Sequence, residues 1–394
     1  MTERDVVIID AVRSPVGRRN GELASMHSVD LLGDVQRALF DRTGMDPVEV
    51  GQVVGGCVGQ VGMQTMNVTR NAWLAAGLPL EVAATTVDSQ CGSSQQATNL
   101  AYSLVKAGVV DAAVACGVEV MSRVPMGASI PKDPAVGLPV NKRYWEHYEW
   151  TSQFEGAERI AERWGITRRD TDEFGVRSQT LAAEAWDEDA FATQIVPIEA
   201  PVRDDAGQPT GETTTVSRDG GLRETTLEGL ARLEPVARED GVHTAGTSSQ
   251  ISDGAGAVLV MTSDKATQLG LTPIARIVDT CLVGSDPVLM LTGPIGATLE
   301  LLDDNSMVMN DIDLVEINEA FASVVLAWER ELKPDLDTVN PNGGAIALGH
   351  PLGATGSILV TKAVHELRRS DKELALVTMC CGGGLGTGTL IERI

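Results

Sequence analysis

Two segments far apart in the chain follow one plan, and that repetition limits the folds open to it. Residues 87–108, VDSQCGSSQQATNLAYSLVKAG, and residues 339–367, VNPNGGAIALGHPLGATGSILVTKAVHEL, each read as a strand, a small-residue turn and a helix. Each is followed by a strand rich in small residues, DAAVACG at 111–117 and ELALVTMCCGGG at 373–384. The run VVIID at 6–10 is echoed by IARIVD at 274–279. A duplicated strand–helix unit calls for two copies of one layered α/β core.

The β-branched run at 6–9 predicts a buried strand, residues 29–42 a helix with Val29, Leu32, Val35 and Leu39 on one face, and 50–56 a second strand. Helices are expected at 67–76 and 92–107, and strands at 85–87 and 112–116. This alternation predicts a mostly parallel sheet with helices on its faces. The last third repeats it: strand 274–279, helix 295–303, strand 313–317, a helix near 320–331, a strand at 338–340, a helix from about 351 and a strand at 374–379. Residues 118–245 interrupt the pattern with Pro- and Gly-containing stretches at 124–140, helices at 155–164 and 170–188, and a polar loop at 201–221. Strand 255–262 restores it. The expected organisation is a first core of 1–117 and 246–272, an excursion of 118–245 and a second core of 273–394.

With 43% hydrophobic and 22% charged residues, a chain of 394 can bury a sizeable core. Its 31 basic and 55 acidic residues leave a net charge of −24. Such a surface repels nucleic acid and anionic membrane, though one or two arginines can still bind a small anion. The six cysteines form no CxxC pair and read as reduced thiols of a cytoplasmic chain. The start, MTERDVVIIDAVRSP, has no apolar run behind a basic stretch, so no signal peptide is expected, and no apolar run approaches the roughly 20 residues of a membrane helix. There is no HxxxH or paired-carboxylate spacing, so no metal is expected, and VGGCVG at 54–59 lacks the dinucleotide GxGxxG spacing.

Three reactive positions fall where an expected strand ends or a helix begins. Cys91 precedes Gly-Ser-Ser at a helix start, where unpaired backbone N–H groups and the dipole favour a thiolate. Cys57, Cys116 and Cys281 read as buried apolar fillers. His350 sits among glycines ahead of a helix, and its imidazole can take a proton from a thiol near neutral pH. The run Cys380-Cys381-Gly382-Gly383-Gly384 exposes backbone N–H groups able to hold an oxyanion; Cys380 is the better candidate and Cys381 is expected to turn into packing. Asn318 can donate to a carbonyl oxygen or hold a water that does. Glu319 either orients that network or serves a helix start or salt bridge.

Cys91 in its CGSS setting, NEAFA at 318–322, GGAIALGHPLGATG at 343–356 and CCGGG at 380–384, together with IIDAVRSPVG at 8–17, resemble the thiolase family over essentially the whole chain. The resemblance implies a five-layer αβαβα fold, with two similar core domains and a loop domain over the acyl-CoA site, in a homodimer or dimer of dimers. It implies that Cys91 is the nucleophile that carries the acyl group, that His350 polarises or deprotonates it, and that Cys380 activates the incoming coenzyme A thiol or, in reverse, removes the α-proton of acetyl-CoA. One oxyanion site is then His350 with a water held by Asn318, the other the N–H groups of Cys91 and Gly382. Arg223 and Ser249 match the family's coenzyme A contacts. Coenzyme A and acyl-CoA are substrates, with no permanently bound cofactor.

Two departures bear on the substrate. Gly246-Thr247-Ser248-Ser249-Gln250 stands where the family commonly reads GNAS before the DGA turn, and Gln153 where short-chain enzymes carry methionine. With QCGSSQQA and LTGPIGAT, these resemble actinobacterial thiolases of lipid and sterol side-chain breakdown, implying a bulky 3-oxoacyl-CoA. The alternative is a biosynthetic acetyl-CoA C-acetyltransferase joining two acetyl-CoA. A ketosynthase normally pairs its cysteine with two histidines, and a non-catalytic relative should have lost one of Cys91, His350, Asn318 or Cys380.

Overall fold

The computed structural model of the protein describes residues 4–204 and 208–394. Strand β1 (Val6–Arg13) is buried along its whole length. Val7, Ile9 and Val12 face one apolar cluster while Val6, Ile8 and Ala11 face another. A strand covered on both faces has no polar side to alternate with, which accounts for the unbroken apolar run.

The remaining strands are β2 (Gly17–Arg18), β3 (Gln52–Gly56), β4 (Ala83–Val87), β5 (Ala112–Val120), β6 (Ile198–Arg203), β7 (Pro209–Val216), β8 (Ser252–Thr262), β9 (Ala275–Gly284), β10 (Leu314–Ile317), β11 (Leu374–Cys381) and β12 (Leu385–Arg393). The helices are α1 (Ser28–Thr43), α2 (Val68–Ala75), α3 (Ser93–Lys106), α4 (Lys142–Trp145), α5 (Gln153–Trp164), α6 (Arg168–Asp187), α7 (Leu227–Leu230), α8 (Ser263–Leu269), α9 (Gly293–Asp304), α10 (Ala322–Leu332), α11 (Ala345–Leu348) and α12 (Thr355–Ser370).

The first half orders its strands β4-β3-β5-β8-β1, the second β10-β11-β12-β9. A parallel bridge from Val315 to Val339 adds the segment after β10 at that edge. Both halves thus run third, second, fourth, fifth, first, which is the duplication written as topology. The halves join through β1 and β9, where Val7 pairs with Arg276 and Ile8 with Ala275.

The expected mostly parallel sheet is mixed in each half. β3 runs parallel to β4 and β5, and β10 to β11, whereas β8 and β12 are antiparallel to both their neighbours. β12 follows β11 without a crossover helix, and such a strand must run antiparallel. In the second half the return is the short turn at Gly382–Gly384. In the first, the corresponding place between β5 and β8 holds the excursion with α4 to α7.

The excursion also differs from expectation at 201–221, read as a polar loop. β6 and β7 form an antiparallel hairpin there. Among its described residues only Ile198, Ala200 and Val216 enter the core, while the run Gly211–Thr215 is exposed. A ribbon with one thin buried edge carries little apolar periodicity, so the sequence hides it.

Helices α3 and α12 lie between the two halves and fill one cluster with the inner faces of both sheets. α1 and α2 cover the outer face of the first half, α9 and α10 that of the second. The result is five layers. Every residue of α12 from Thr355 to Leu367 is buried, as befits a helix with no solvent side. Near their N-termini the central helices almost touch. A Cβ on Gly356 would lie 2.1 Å from Gln95 N, and Ser94 Oγ accepts the Ser357 N–H at 2.9 Å. Gly356→Ala should therefore destabilise the fold by about 1–3 kcal/mol through overpacking. A lowered urea midpoint with loss of activity is the expected result, and an unchanged midpoint would show that the helices can part freely.

Candidate functional site

Four loops converge where these N-termini meet, three of them leaving the C-terminal ends of strands, the usual ligand edge of an open α/β sheet. After β4, Gln90 takes a left-handed backbone (φ 53°) and lifts Cys91 to the start of α3. Ser93 Oγ fixes this turn, donating to Gln90 O at 2.6 Å and accepting the Ser89 N–H at 3.0 Å. Of the six cysteines, Cys91 alone is partly exposed.

The turn after β11 closes on that loop. A Cβ on Gly92 would meet Cys381 Sγ at 2.5 Å, and one on Gly382 would meet Gln90 Oε1 at 3.1 Å. Only glycine-scale backbones approach so closely. Cys380 and Cys381 face opposite sides of β11: Cys381 joins the core between the halves, whereas Cys380 packs with Leu289, Met290, Ala320 and Phe321.

Burial pushes the Cys91 thiol up to about 11, and Glu119 and Asp88 add to the rise. The N–H groups of Gly382 and of Cys91 itself bond the sulfur and pull the other way. The expectation of a stabilised thiolate is corrected here: the donors are present, but desolvation outweighs them. Cys380 is likewise held well above the ordinary thiol range, first by burial and then by the neighbouring thiols Cys91 and Cys381.

His350, 3% exposed, is held down to about 4 by burial and is neutral at pH 7. Thr355 Oγ1 lies 2.6 Å from its Nδ1 and donates its own proton to Pro351 O at 3.2 Å. The hydroxyl therefore accepts from Nδ1–H, which leaves Nε2 bare as a proton acceptor. Asn318 Nδ2 stands 3.4 Å from that Nε2. Asn318 Oδ1 is buried with no hydrogen-bond partner among the described residues, so it is available to a ligand or solvent.

Glu319 acts as neither a helix start nor a salt bridge. Its carboxylate accepts from Ser178 Oγ at 2.6 Å, Asn340 Nδ2 at 3.0 Å and Ile346 N at 3.2 Å, and so ties the loop before His350 to β10. Sequence reading missed three further positioning groups. Glu119 accepts from Val58 N, Gly59 N and Gly353 N at 2.9–3.0 Å, binding the His350 loop to the first half. A lone carboxylate in the apolar strand VACGVEVM was the available signal. The others are Thr355, and Ser252, whose Oγ accepts the His350 N–H at 3.1 Å.

Ser249 lies against the NEAFA segment, its N–H donating to Ala320 O at 2.9 Å. Arg223 is exposed, its guanidinium donating to Gln250 Oε1 at 2.7 Å. Gln153 opens α5 and donates to Met126 Sδ at 2.9 Å, next to Phe154, whose ring packs edge-on against Phe321. Among the described residues no group of three or more His, Cys, Asp or Glu could hold a metal, and no helix is long and apolar enough to cross a membrane.

A duplicated five-layer fold that brings Cys91 of the first half close to Cys380 of the second is shared with a family of acyl-transfer enzymes. The chain belongs to the thiolase family: residues 6–264 match the description "Thiolase, N-terminal domain" and residues 271–393 match "Thiolase, C-terminal domain". It is 44% identical to a steroid 3-ketoacyl-CoA thiolase of Mycobacterium tuberculosis, over 100% of this chain and 95% of that one. It is 40% identical to a β-ketoadipyl-CoA thiolase of Acinetobacter baylyi, over 98% of this chain and 99% of that one. The crystal structure of a Bacillus anthracis acetyl-CoA acetyltransferase matches with a TM-score of 0.90 at 37% identity, covering 100% of this chain and 99% of that one.

Exposure and charge state make separate predictions for Cys91. Iodoacetamide should label it before the five buried cysteines, at a rate that keeps climbing with pH toward about 11. A labelling rate already flat at pH 7 would mean a preformed thiolate–imidazolium pair.

Proposed function

We propose that the protein cleaves 3-oxoacyl-CoA with coenzyme A, releasing acetyl-CoA and a shortened acyl-CoA, in the degradative direction. The observation that carries this is the meeting of Cys91 and Cys380, one thiol from each half, in a chain whose His350 is neutral, with Nδ1 held by Thr355 and Nε2 turned toward Asn318. One thiol can hold the acyl group while the other handles the second substrate.

In this reading Cys91 gives its proton to His350 Nε2 and its sulfur bonds C3 of the 3-oxoacyl-CoA. The C2–C3 bond then breaks, and the acetyl-CoA enolate takes a proton at carbon from the Cys380 thiol. The Cys380 thiolate next takes the proton of the incoming coenzyme A thiol, whose sulfur attacks the acyl group on Cys91. Cys91 leaves and recovers its proton from His350. The N–H groups of Cys91 and Gly382 stabilise the oxyanion on the acyl carbon, and His350 with Asn318 faces the enolate oxygen. Ser249 and Arg223 contact coenzyme A, with Arg223 toward its nucleotide end and residues 118–245 as the cover. No permanently bound cofactor enters any step.

A bulky acyl group is favoured over a C4 substrate. The segment leading into α5 presents Met126, Ile130, Trp145, Tyr148 and Trp150 exposed, and Met126 meets Gln153 at the start of α5. The likeness to a steroid 3-ketoacyl-CoA thiolase supports the same reading. Two thiols that must stay reduced suit the cytoplasm. A homodimer or dimer of dimers is supported by the edge strand β4, near which Met66, Leu74 and Leu80 are exposed.

Coenzyme A-dependent thiolysis of a ring-bearing 3-oxoacyl-CoA and of acetoacetyl-CoA tests the proposal. The expected kcat/KM ratio favours the bulky substrate by about tenfold or more, equivalent to roughly 1.4 kcal/mol in the transition state. A preference for acetoacetyl-CoA would instead assign the chain to the acetyl-CoA C-acetyltransferase reaction.

A further inference from the structure

Gln250 stands between the turn that carries Arg223 and the loop that carries His350. Its Nε2 lies 2.8 Å from Gly221 O, 2.9 Å from Ile346 O and 3.0 Å from Ala347 O. Its Oε1 accepts from the Arg223 guanidinium at 2.7 Å, and its backbone carbonyl accepts the His350 N–H at 3.2 Å. An amide has two N–H donors and one carbonyl, so this side chain is fully used.

The backbone of the Arg223 turn is fixed independently. Arg13 and Asp219 form a wholly buried two-pronged ion pair at 2.7 and 3.0 Å, anchoring the turn to β1. Asp219 Oδ1 also accepts the Val16 N–H at 2.7 Å, and the Gly220 N–H donates to Val16 O at 2.9 Å. Gln179 Oε1 accepts the Arg223 N–H at 3.0 Å. With the main chain held, the freedom left at this position is that of the long, exposed Arg223 side chain, and the Gln250 carbonyl is what restrains it.

We propose that Gln250 is a positioning residue for coenzyme A recognition, holding the Arg223 guanidinium in place and keying that place to the His350 loop. The inference rests on Arg223 meeting the nucleotide end of coenzyme A, as proposed above. It gives the departure from GNAS a chemical role, since the departing stretch supplies the side chain that orients the cation.

The test is steady-state thiolysis by wild type, Gln250→Met, Arg223→Ala and the double variant, with coenzyme A and with pantetheine, which has the thiol but lacks the nucleotide. Gln250→Met should raise KM for coenzyme A about fivefold, as expected for one charge-assisted hydrogen bond at an exposed site, with a smaller change in kcat. KM for pantetheine should stay put, and the double variant should be no worse than Arg223→Ala alone. If Gln250→Met does not fold, Gln250→Asn, still a donor but too short to reach Arg223, should give the same pattern. Equal losses with pantetheine, or losses that multiply in the double variant, would overturn the inference while leaving Arg223 in its role. An unchanged coenzyme A KM in Arg223→Ala would remove the nucleotide contact itself, and the inference with it.

Discussion

Everything in the site depends on one buried amide, Gln95, reaching from a helix of the first half into the sheet of the second. Its Nε2 donates to Val377 O at 2.8 Å and Thr389 Oγ1 at 2.9 Å, and its Oε1 accepts from Thr387 Oγ1 at 2.6 Å. One turn further along α3, Asn99 repeats the device, donating to Cys281 O and Gly388 O and accepting from Thr389 Oγ1. Sliding α3 by one residue would strand these polar groups in the core at about 1–3 kcal/mol each. The register is therefore fixed, and with it the position of Cys91 against the Cys380–Gly382 turn. A second clamp joins β10 to the His350 loop: Lys362 Nζ, wholly buried, donates to Glu316 Oε2 and to Gly343 O, both at 2.7 Å.

The site this framework builds is electrically neutral at rest. Burial holds His350 down to about 4 and pushes Cys91 up to about 11, so between those values neither carries charge. A low-dielectric pocket holds two neutral partners more cheaply than an ion pair. It also means that charge appears only as the thiol attacks, which is when fixed N–H donors gain most from being in place already. The same burial governs stability. An unfolded histidine binds protons below about 6.5 whereas the folded His350 does not until about 4, so stability falls as pH drops through that window.

Much of the fold was legible because its elements are doubly covered. The repeated strand–turn–helix plan at 87–108 and 339–367 corresponds to β4–α3 and to the Val339 edge with α12, and the run of apolar residues in β1 follows from its two buried faces. The family resemblance was equally legible, since CGSS, NEAFA, the His350 loop and CCGGG survive as local strings. What escaped was long-range. The β6–β7 hairpin buries too little to mark the sequence, and the direction of β8 and β12 is set by how each unit closes, not by composition. The rise in the Cys91 thiol needs the burial and the nearness of Glu119 and Asp88, none of which a helix-start motif reveals. Glu119 and Gln250 act through carbonyls and amides from distant segments, so their roles exist only once the chain is folded.

The central claim is a division of labour in which Cys91 carries the acyl group and Cys380 moves the proton for the second substrate. Intact-mass measurement of Cys380→Ala incubated with acyl-CoA tests it directly, because the coenzyme A thiolate leaves without needing Cys380 to expel it. The expected result is an acyl adduct on Cys91 that forms without Cys380 and, by microscopic reversibility, exchanges with added coenzyme A, alongside lost thiolysis of 3-oxoacyl-CoA, whose enolate has no proton donor. Unimpaired thiolysis in that variant, or an adduct on a residue other than Cys91, would contradict it.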